Sequence, residues 1–286
     1  MDGRRGIYAR YIKRMLDVVC ALAALTVFAW LYLIVAVLVR IRLGSPVLFV
    51  QPRPGKDERI FRIYKFRTMT DARDEDGNLL PDSLRLTSFG RALRETSLDE
   101  LPEAFNILRG DMSVVGPRPQ LVRDMVFMTP EQRKRHCVRP GLSGLAQTRG
   151  RNALVWENKL ATDLEYIQRV TFLGDVKIVF DTVRQVFFKG RGRKRGAADE
   201  AGISDDLGDY LLKAGRIGRD EYERKQALAR GLLADRDAGH AWRGGCEHDR
   251  FGVNCHAGLQ HGTVYRGFRC VGSEADLPEL GADHRG

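Results

Sequence analysis

Residues 16–39 are almost wholly apolar, interrupted only by Asp17 and Thr26, and no other feature limits the fold of this chain as strongly. About 24 residues at 1.5 Å each reach roughly 36 Å as a straight helix, enough to cross the hydrocarbon core of a bilayer. The run is too long for a signal-peptide core and no small-residue cleavage site follows it, so it is expected to stay attached. Arg4, Arg5, Arg10, Lys13 and Arg14 precede it, and Arg40, Arg42, Arg53 and Lys56 follow. Positive charge favours the cytoplasmic side of a membrane, and here both flanks carry it. The helix therefore either spans with a weak orientation signal, or enters and returns with both ends cytoplasmic. A buried helix of a soluble protein is the remaining reading.

The rest of the chain has room for one domain with appendages. Val47-Leu48-Phe49-Val50 and Phe61-Arg62-Ile63-Tyr64-Lys65-Phe66 read as two strands of a hairpin, with Pro52, Pro54 and Gly55 in the connection. Residues 70–83 read as an exposed polar loop, and a short helix is expected near 89–94. Pro102 lacks an N–H and suits a first helical turn, which puts an N-cap near Asp99. Leu101, Ala104, Phe105 and Leu108 would then share a face, with Gly110 as the stop. Arg139-Pro140-Gly141-Leu142-Ser143-Gly144 reads as a turn-rich loop. Trp156, Lys159, Asp163 and Tyr166 fall on one helical face, and Leu173, Val176, Val179, Val183 and Phe187 mark a last apolar helix. The composition changes near Lys189: residues 190–196 are a basic linker, a helical hairpin is expected over 205–233, and the remainder reads as a disordered tail. The expected domains are an anchor (1–45), a catalytic unit (46–189), a linker with hairpin (190–234) and a tail (235–286).

The chemistry concentrates at Leu98-Asp99-Glu100-Leu101-Pro102. Carboxylates at a helix start stay ionised and can attack phosphorus or hold a divalent cation, and the same place favours a diphosphate. The plainer alternative is a simple N-cap, worth about 1 kcal/mol. Lys65, Arg67, Arg91, Arg94, Arg118 and Arg139 lie near turns, and Arg can clamp phosphate oxygens in a bidentate way. Pro117-Arg118-Pro119 fixes the backbone on both sides of one arginine. A net charge of +10 suits anionic lipids or nucleotide diphosphates. No basic-aromatic motif or recognition helix points to nucleic acid. The five cysteines are scattered without a CxxC, against a secreted disulfide scaffold and in keeping with a reducing cytosolic face.

Between residues 13 and 188 the chain resembles the monotopic phosphoglycosyl transferases, bacterial sugar transferases that start surface glycans on a polyprenyl phosphate. The resemblance rests on KRMLDVV, SPVLFVQPRPG, FRIYKFRTM, LTSFGRALRETSLDELPEAFNILRGDMSVVGPRPQL and RPGLSGLAQTRGRN, in that order. It implies a mainly α fold with a small β-hairpin, in which a membrane-inserted N-terminal helix precedes a cytosolic catalytic domain at the membrane surface. The place would be the cytoplasmic face of a bacterial inner membrane. It implies that Asp99 attacks the sugar-side phosphorus of a UDP-sugar and UMP leaves, after which polyprenyl phosphate takes the phosphosugar. Glu100 with Asp99 would place Mg²⁺, Arg94 would contact phosphate, and the Arg118 turn would help hold the nucleotide, with Lys65, Arg67 and Arg139 as further phosphate or nucleotide contacts. Downstream glycan-assembly enzymes are implied partners.

The family commonly breaks its membrane helix at a central Ser-Pro, which makes it re-enter. Here the corresponding positions are Ala29-Trp30, and no proline lies between 16 and 42, so spanning and re-entry both stay open, with the basic flanks favouring re-entry. Every matched motif precedes Lys189, so residues beyond about Arg195 are expected to be dispensable for chemistry. Asp209 onward is similar to short helical-hairpin modules at bacterial protein ends. His240, Cys246, His248, Cys255, His256 and His261 follow no standard zinc spacing. A non-catalytic membrane scaffold of the same fold is the rival reading, separable by UMP release. A soluble nucleotide hydrolase conflicts with the apolar run.

Overall fold

The computed structural model describes residues 7–150, 155–188 and 206–237, together with short paired strands at 254–255 and 270–271. The first arginines, the linker over 190–205 and the side chains of the His/Cys set lie outside the described residues.

The apolar run folds as two helices, α1 (Lys13–Val27) and α2 (Ala29–Leu43), bent by 65° at Phe28. No single described helix is long and apolar enough to cross a membrane. The bend forms without proline. Thr26 bonds back from its Oγ to the Leu22 carbonyl, a contact that loosens helices, and Phe28 leaves helical geometry at φ −100°, ψ 13°. Each half is also docked separately. Arg14 donates to the carbonyls of Ile107 and Leu108, while Asp17 accepts from Ser113 Oγ at 3.0 Å and Val114 N at 2.9 Å. Lys13 pairs with Asp175 at 2.6 Å. On α2, Tyr32 donates to the Leu101 carbonyl, and Val35, Val39 and Leu43 bury against Phe66 and Leu93.

The hairpin is longer than the sequence suggests: β1 (Leu48–Pro54) and β2 (Ile60–Phe66) pair antiparallel from Leu48↔Phe66 to Pro54↔Ile60, so Pro52 and Pro54 lie in a strand. The helices α3 (Asp82–Arg85) and α4 (Ser88–Glu95) follow, then a 3₁₀ turn at Leu98–Glu100 and α5 (Glu103–Arg109). The helix thus starts after Pro102, and Asp99 is no N-cap: Ser97 in left-handed geometry (φ 58°) tightens the preceding turn instead. The face that α5 buries is Glu103, Ala104, Asn106 and Ile107, whereas Phe105 is exposed beside Tyr32. Gly110 ends the helix at φ 94°, as expected.

The strands β3 (Ser113–Val115) and β4 (Gly141–Ser143) form a second, parallel pair where a loop was expected. Between them run α6 (Val122–Met125) and α7 (Pro130–Arg133); beyond lie α8 (Leu145–Arg149), α9 (Trp156–Gln168) and α10 (Phe172–Phe188). The hairpin over 205–233 is present as α11 (Leu207–Lys213) and α12 (Arg219–Asp237), turning through Gly215. Trp156, Asp163 and Tyr166 line the buried face of α9 as their spacing predicts. On α10 the periodic residues Leu173, Val176 and Val183 are exposed, and Asp175 and Ile178 face inward.

Candidate active site

Asn106 explains how the site assembles. Fully buried on α5, it accepts from Tyr64 N (3.1 Å) and donates to the Arg62 carbonyl (2.7 Å), acting as a substitute strand partner for β2. That contact sets Lys65 between two carboxylates, 2.8 Å from Glu100 Oε1 and 3.1 Å from Glu103 Oε1. Arg118 reaches the same Glu100 oxygen at 2.9 Å. Arg118 comes from the loop after β3, where backbones cross closely: a Cβ on Gly141 would sit 2.0 Å from the Gly116 nitrogen. Only glycine fits there, and the Pro117-Arg118-Pro119 turn starts from that crossing.

Asp99 stands apart from this ion-paired set. Its carboxylate is buried, yet no hydrogen bond or ion pair to it is formed among the described residues. Burial, and next the negative charge of Glu100, push its pKa up to about 6; Lys65, Arg94 and Arg118 pull the other way. The helix end does not favour the charge as expected, because burial outweighs the local cations; the carboxylate is ionised above about pH 6. Burial also works against ionised Glu100, but Arg118 and Lys65 overcome it and hold its pKa low. Glu103, less well compensated, is pushed up. The result is one fixed carboxylate beside one unpaired carboxylate.

Arg94 is placed near Asp99: its Nε donates to Thr68 Oγ at 3.0 Å and its charge acts on Asp99. Arg67 and Arg139 act as ties. The Arg67 guanidinium holds the carbonyls of Met69 and Ser45 and pairs with Asp71; Arg139 donates to the Gly110 carbonyl at the C-terminal end of α5.

Two residues outside the expected set belong here. A cavity beside Glu100 is lined by Arg53, Lys65, Glu103 and Arg118, with Ile63 and Pro119. Arg53 donates to the Pro119 carbonyl and to Gln51, but its buried Nε has no partner among the described residues, and burial followed by repulsion from Arg118 lowers its pKa to about 10. The signal was legible: Pro52-Arg53-Pro54 repeats Pro117-Arg118-Pro119, and the first, at the end of β1, and the second, in the loop after β3, deliver an arginine to one cavity. Glu103 gave no signal beyond its place three residues after Glu100.

For a divalent cation, no cluster of three or more His, Cys, Asp or Glu ligands occurs among the described residues. The donor set still fits Mg²⁺, which takes one or two carboxylates and completes its shell with water and phosphate oxygens. Asp99 offers an uncommitted carboxylate, and Lys65 and Arg118 both bond the Oε1 oxygen of Glu100 rather than its Oε2.

Residues 8–189 match the family model described as bacterial sugar transferase. An uncharacterized sugar transferase, EpsL, of Bacillus subtilis is 47% identical over 175 residues, covering 61% of this chain and 87% of the relative. The UDP-N-acetylgalactosamine-undecaprenyl-phosphate N-acetylgalactosaminephosphotransferase of Aeromonas hydrophila is 40% identical over 188 residues, 63% of this chain and 44% of that one. The UDP-glucose:undecaprenyl-phosphate glucose-1-phosphate transferase of Caulobacter vibrioides is 40% identical over 183 residues, 60% and 68% of the two chains.

Proposed function

The chain belongs to the bacterial sugar transferase family, and from that premise we propose that it moves a sugar-1-phosphate from a UDP-sugar to undecaprenyl phosphate through a phosphosugar on Asp99. The observation that carries the reading is the unpaired, buried carboxylate of Asp99 next to a Glu100 fixed by Lys65 and Arg118. An Asp99 carboxylate oxygen attacks the phosphorus that bears the sugar, the bond from that phosphorus to the UMP oxygen breaks, and UMP leaves. A phosphate oxygen of the lipid then attacks the same phosphorus, and the bond to Asp99 breaks. One diphosphate replaces another, so the overall reaction is nearly isoenergetic. Covalent catalysis divides a transfer between two anions into two displacements.

Arg118, Arg94 and Arg53 bind and orient the donor phosphates, and Lys65 keeps Glu100 in place. Mg²⁺, held by Glu100 with Asp99, would neutralise diphosphate charge and ease departure of UMP. The bent α1–α2 pair enters one leaflet and returns. Both its arms are tied to one body, while the apex residues Leu22, Val27, Phe28 and Trp30 are exposed and apolar. The catalytic unit then lies on the cytoplasmic face, within reach of both the nucleotide sugar and the lipid phosphate.

The test is UMP release from enzyme and UDP-sugar before lipid phosphate is added, expected to be stoichiometric with enzyme, with ping-pong kinetics and phosphosugar label on the peptide containing Asp99. Asp99→Asn should retain membrane association and lower turnover to about a thousandth or less. Substantial activity of purified Asp99→Asn, or strictly sequential kinetics without a labelled peptide, would overturn the mechanism.

A further inference from the structure

Residues 206–237 lie beyond the span that matches the family, yet they are docked where Arg118 is held. Asp124, on α6 six residues after Arg118, is a buried carboxylate shared between two backbone donors. Its Oδ2 accepts from Leu121 N at 3.1 Å, closing the loop that carries Arg118, and its Oδ1 accepts from Leu207 N at 3.0 Å, at the first turn of α11. Arg123 pairs with Asp206 at 2.5 Å beside it. Apolar contacts continue the grip: Val122 and Met125 bury under Leu232, and Phe127 and Trp156 under Leu207.

The hairpin holds the other support of Arg118 as well. The Arg118 carbonyl accepts from Arg135 at 2.6 Å, and Arg135 is bound at 2.7 Å and 3.0 Å to the buried Asp163 of α9. At the start of α9, Glu157 accepts from the Tyr210 hydroxyl at 2.9 Å and pairs with Arg216. The hairpin thus touches α6 and α9, and α6 and the Arg135–Asp163 pair are what hold the Arg118 loop between β3 and α6.

We infer that the α11–α12 hairpin is a positioning brace for the active site, acting through the Asp124–Leu207 contact and the α9 contact to fix Arg118 against Glu100. This rests on the proposed role of Arg118 at the donor diphosphate. It replaces the expectation that the region beyond Arg195 is dispensable: the hairpin makes no contact with substrate, but the loop that does is closed by it.

Leu207→Pro in the full chain is the sharpest probe. Position 207 is the first residue of α11, where proline is tolerated, and Asp206 already has the extended geometry (φ −58°, ψ 156°) that a following proline requires. The substitution deletes the N–H bound by Asp124. Tyr210→Phe combined with Glu157→Gln is the milder probe, should Leu207→Pro fold poorly. Each is measured alone and combined with Arg118→Lys, in membranes, with the folded fraction fixed by stoichiometric UMP burst. A brace acting through Arg118 predicts kcat/KM for UDP-sugar reduced 10-fold or more in the wild-type background, an unchanged KM for the lipid phosphate, and a further loss of less than 2-fold once Arg118 is Lys. Equal losses in both backgrounds would mean general destabilisation and overturn the inference, as would no loss in either probe. If Arg118→Lys alone leaves donor kinetics untouched, it is the assigned role of Arg118 that fails.

Discussion

Asp99, the proposed nucleophile, illustrates how a single buried carboxylate acts at a cost to the fold. Its pKa is about 6 in the folded protein and near 3.8 in a free chain, so the folded state resists ionisation. Below about pH 3 both states are protonated and nothing is lost. As pH rises from about 3 to 6 the unfolded chain ionises first, and the destabilisation grows to a plateau above pH 6. Asp99→Asn is therefore expected to melt higher than wild type at pH 7, by on the order of 2 kcal/mol, and to show no gain at about pH 3. A lower melting temperature at pH 7 would contradict the burial argument. For turnover by the proposed mechanism the sign is opposite: the attacking form would be the carboxylate, so kcat/KM at limiting Mg²⁺ should fall on the acid side through about 6, and saturating Mg²⁺ should move that limb to lower pH. Arg53 makes a second test at this scale. Its Nε, beside Arg118, has no partner among the described residues and is proposed to bind a donor phosphate. Arg53→Ala should raise KM for the UDP-sugar roughly 10- to 100-fold, the value of one charge-assisted contact of about 1.5–3 kcal/mol, and leave KM for the lipid phosphate unchanged. Equal effects on both substrates would remove Arg53 from the donor site.

At the scale of elements, the sequence carried most of what depends on local chemistry. Gly110 as a helix stop, the alternating β2 strand, the buried face of α9 and the C-terminal hairpin were all legible, because spacing and turn residues determine them. What escaped was decided by distant partners. Pro102 suggested a helix beginning at Asp99, but Ser97 and the 3₁₀ turn absorb that segment so that Glu100 can meet Lys65 and Arg118. The bend at Phe28 has no proline to announce it, and follows from Asp17 and Tyr32 being anchored to different parts of one body. Periodicity on α10 identified an apolar stripe but not what covers it, and Leu173 and Val176 turn out to be exposed. The bent pair gives a direct topological prediction. Ile7 lies just ahead of α1, whose Lys13 and Arg14 are bound to the catalytic unit. Cysteine placed at Ile7 should resist an impermeant thiol reagent in intact spheroplasts as well as cysteine at Asp76 does, and both should react after permeabilisation. Labelling at position 7 alone would mean that α1 crosses the bilayer.

On the scale of the whole molecule, the division into an anchor and a catalytic unit follows the composition but not the packing. Ala21 of α1 is buried with Phe61, Ile63, Ile107 and Met112, and Val35, Val39 and Leu43 of α2 with Phe66 and Leu93. The two helices of the apolar run thus supply one wall of the core beneath β2, the strand that presents Lys65. Burying Val35, Val39 and Leu43 alone contributes roughly 5 kcal/mol at about 1.5–3 kcal/mol per side chain, comparable to the whole stability of a small domain. Removal would also leave the Ser113 and Val114 donors without Asp17, and the end of α5 without Arg14. A chain beginning at Ser45 is therefore expected to lack a cooperative thermal transition and to release no UMP, even in detergent, whereas the full chain in detergent should melt cooperatively. Circular dichroism melts on the two proteins, with single-turnover UMP release measured in parallel, decide the matter. A cooperative melt with retained release in the shortened chain would show that the helix pair is an anchor only, and that β2 and α5 hold the site without it.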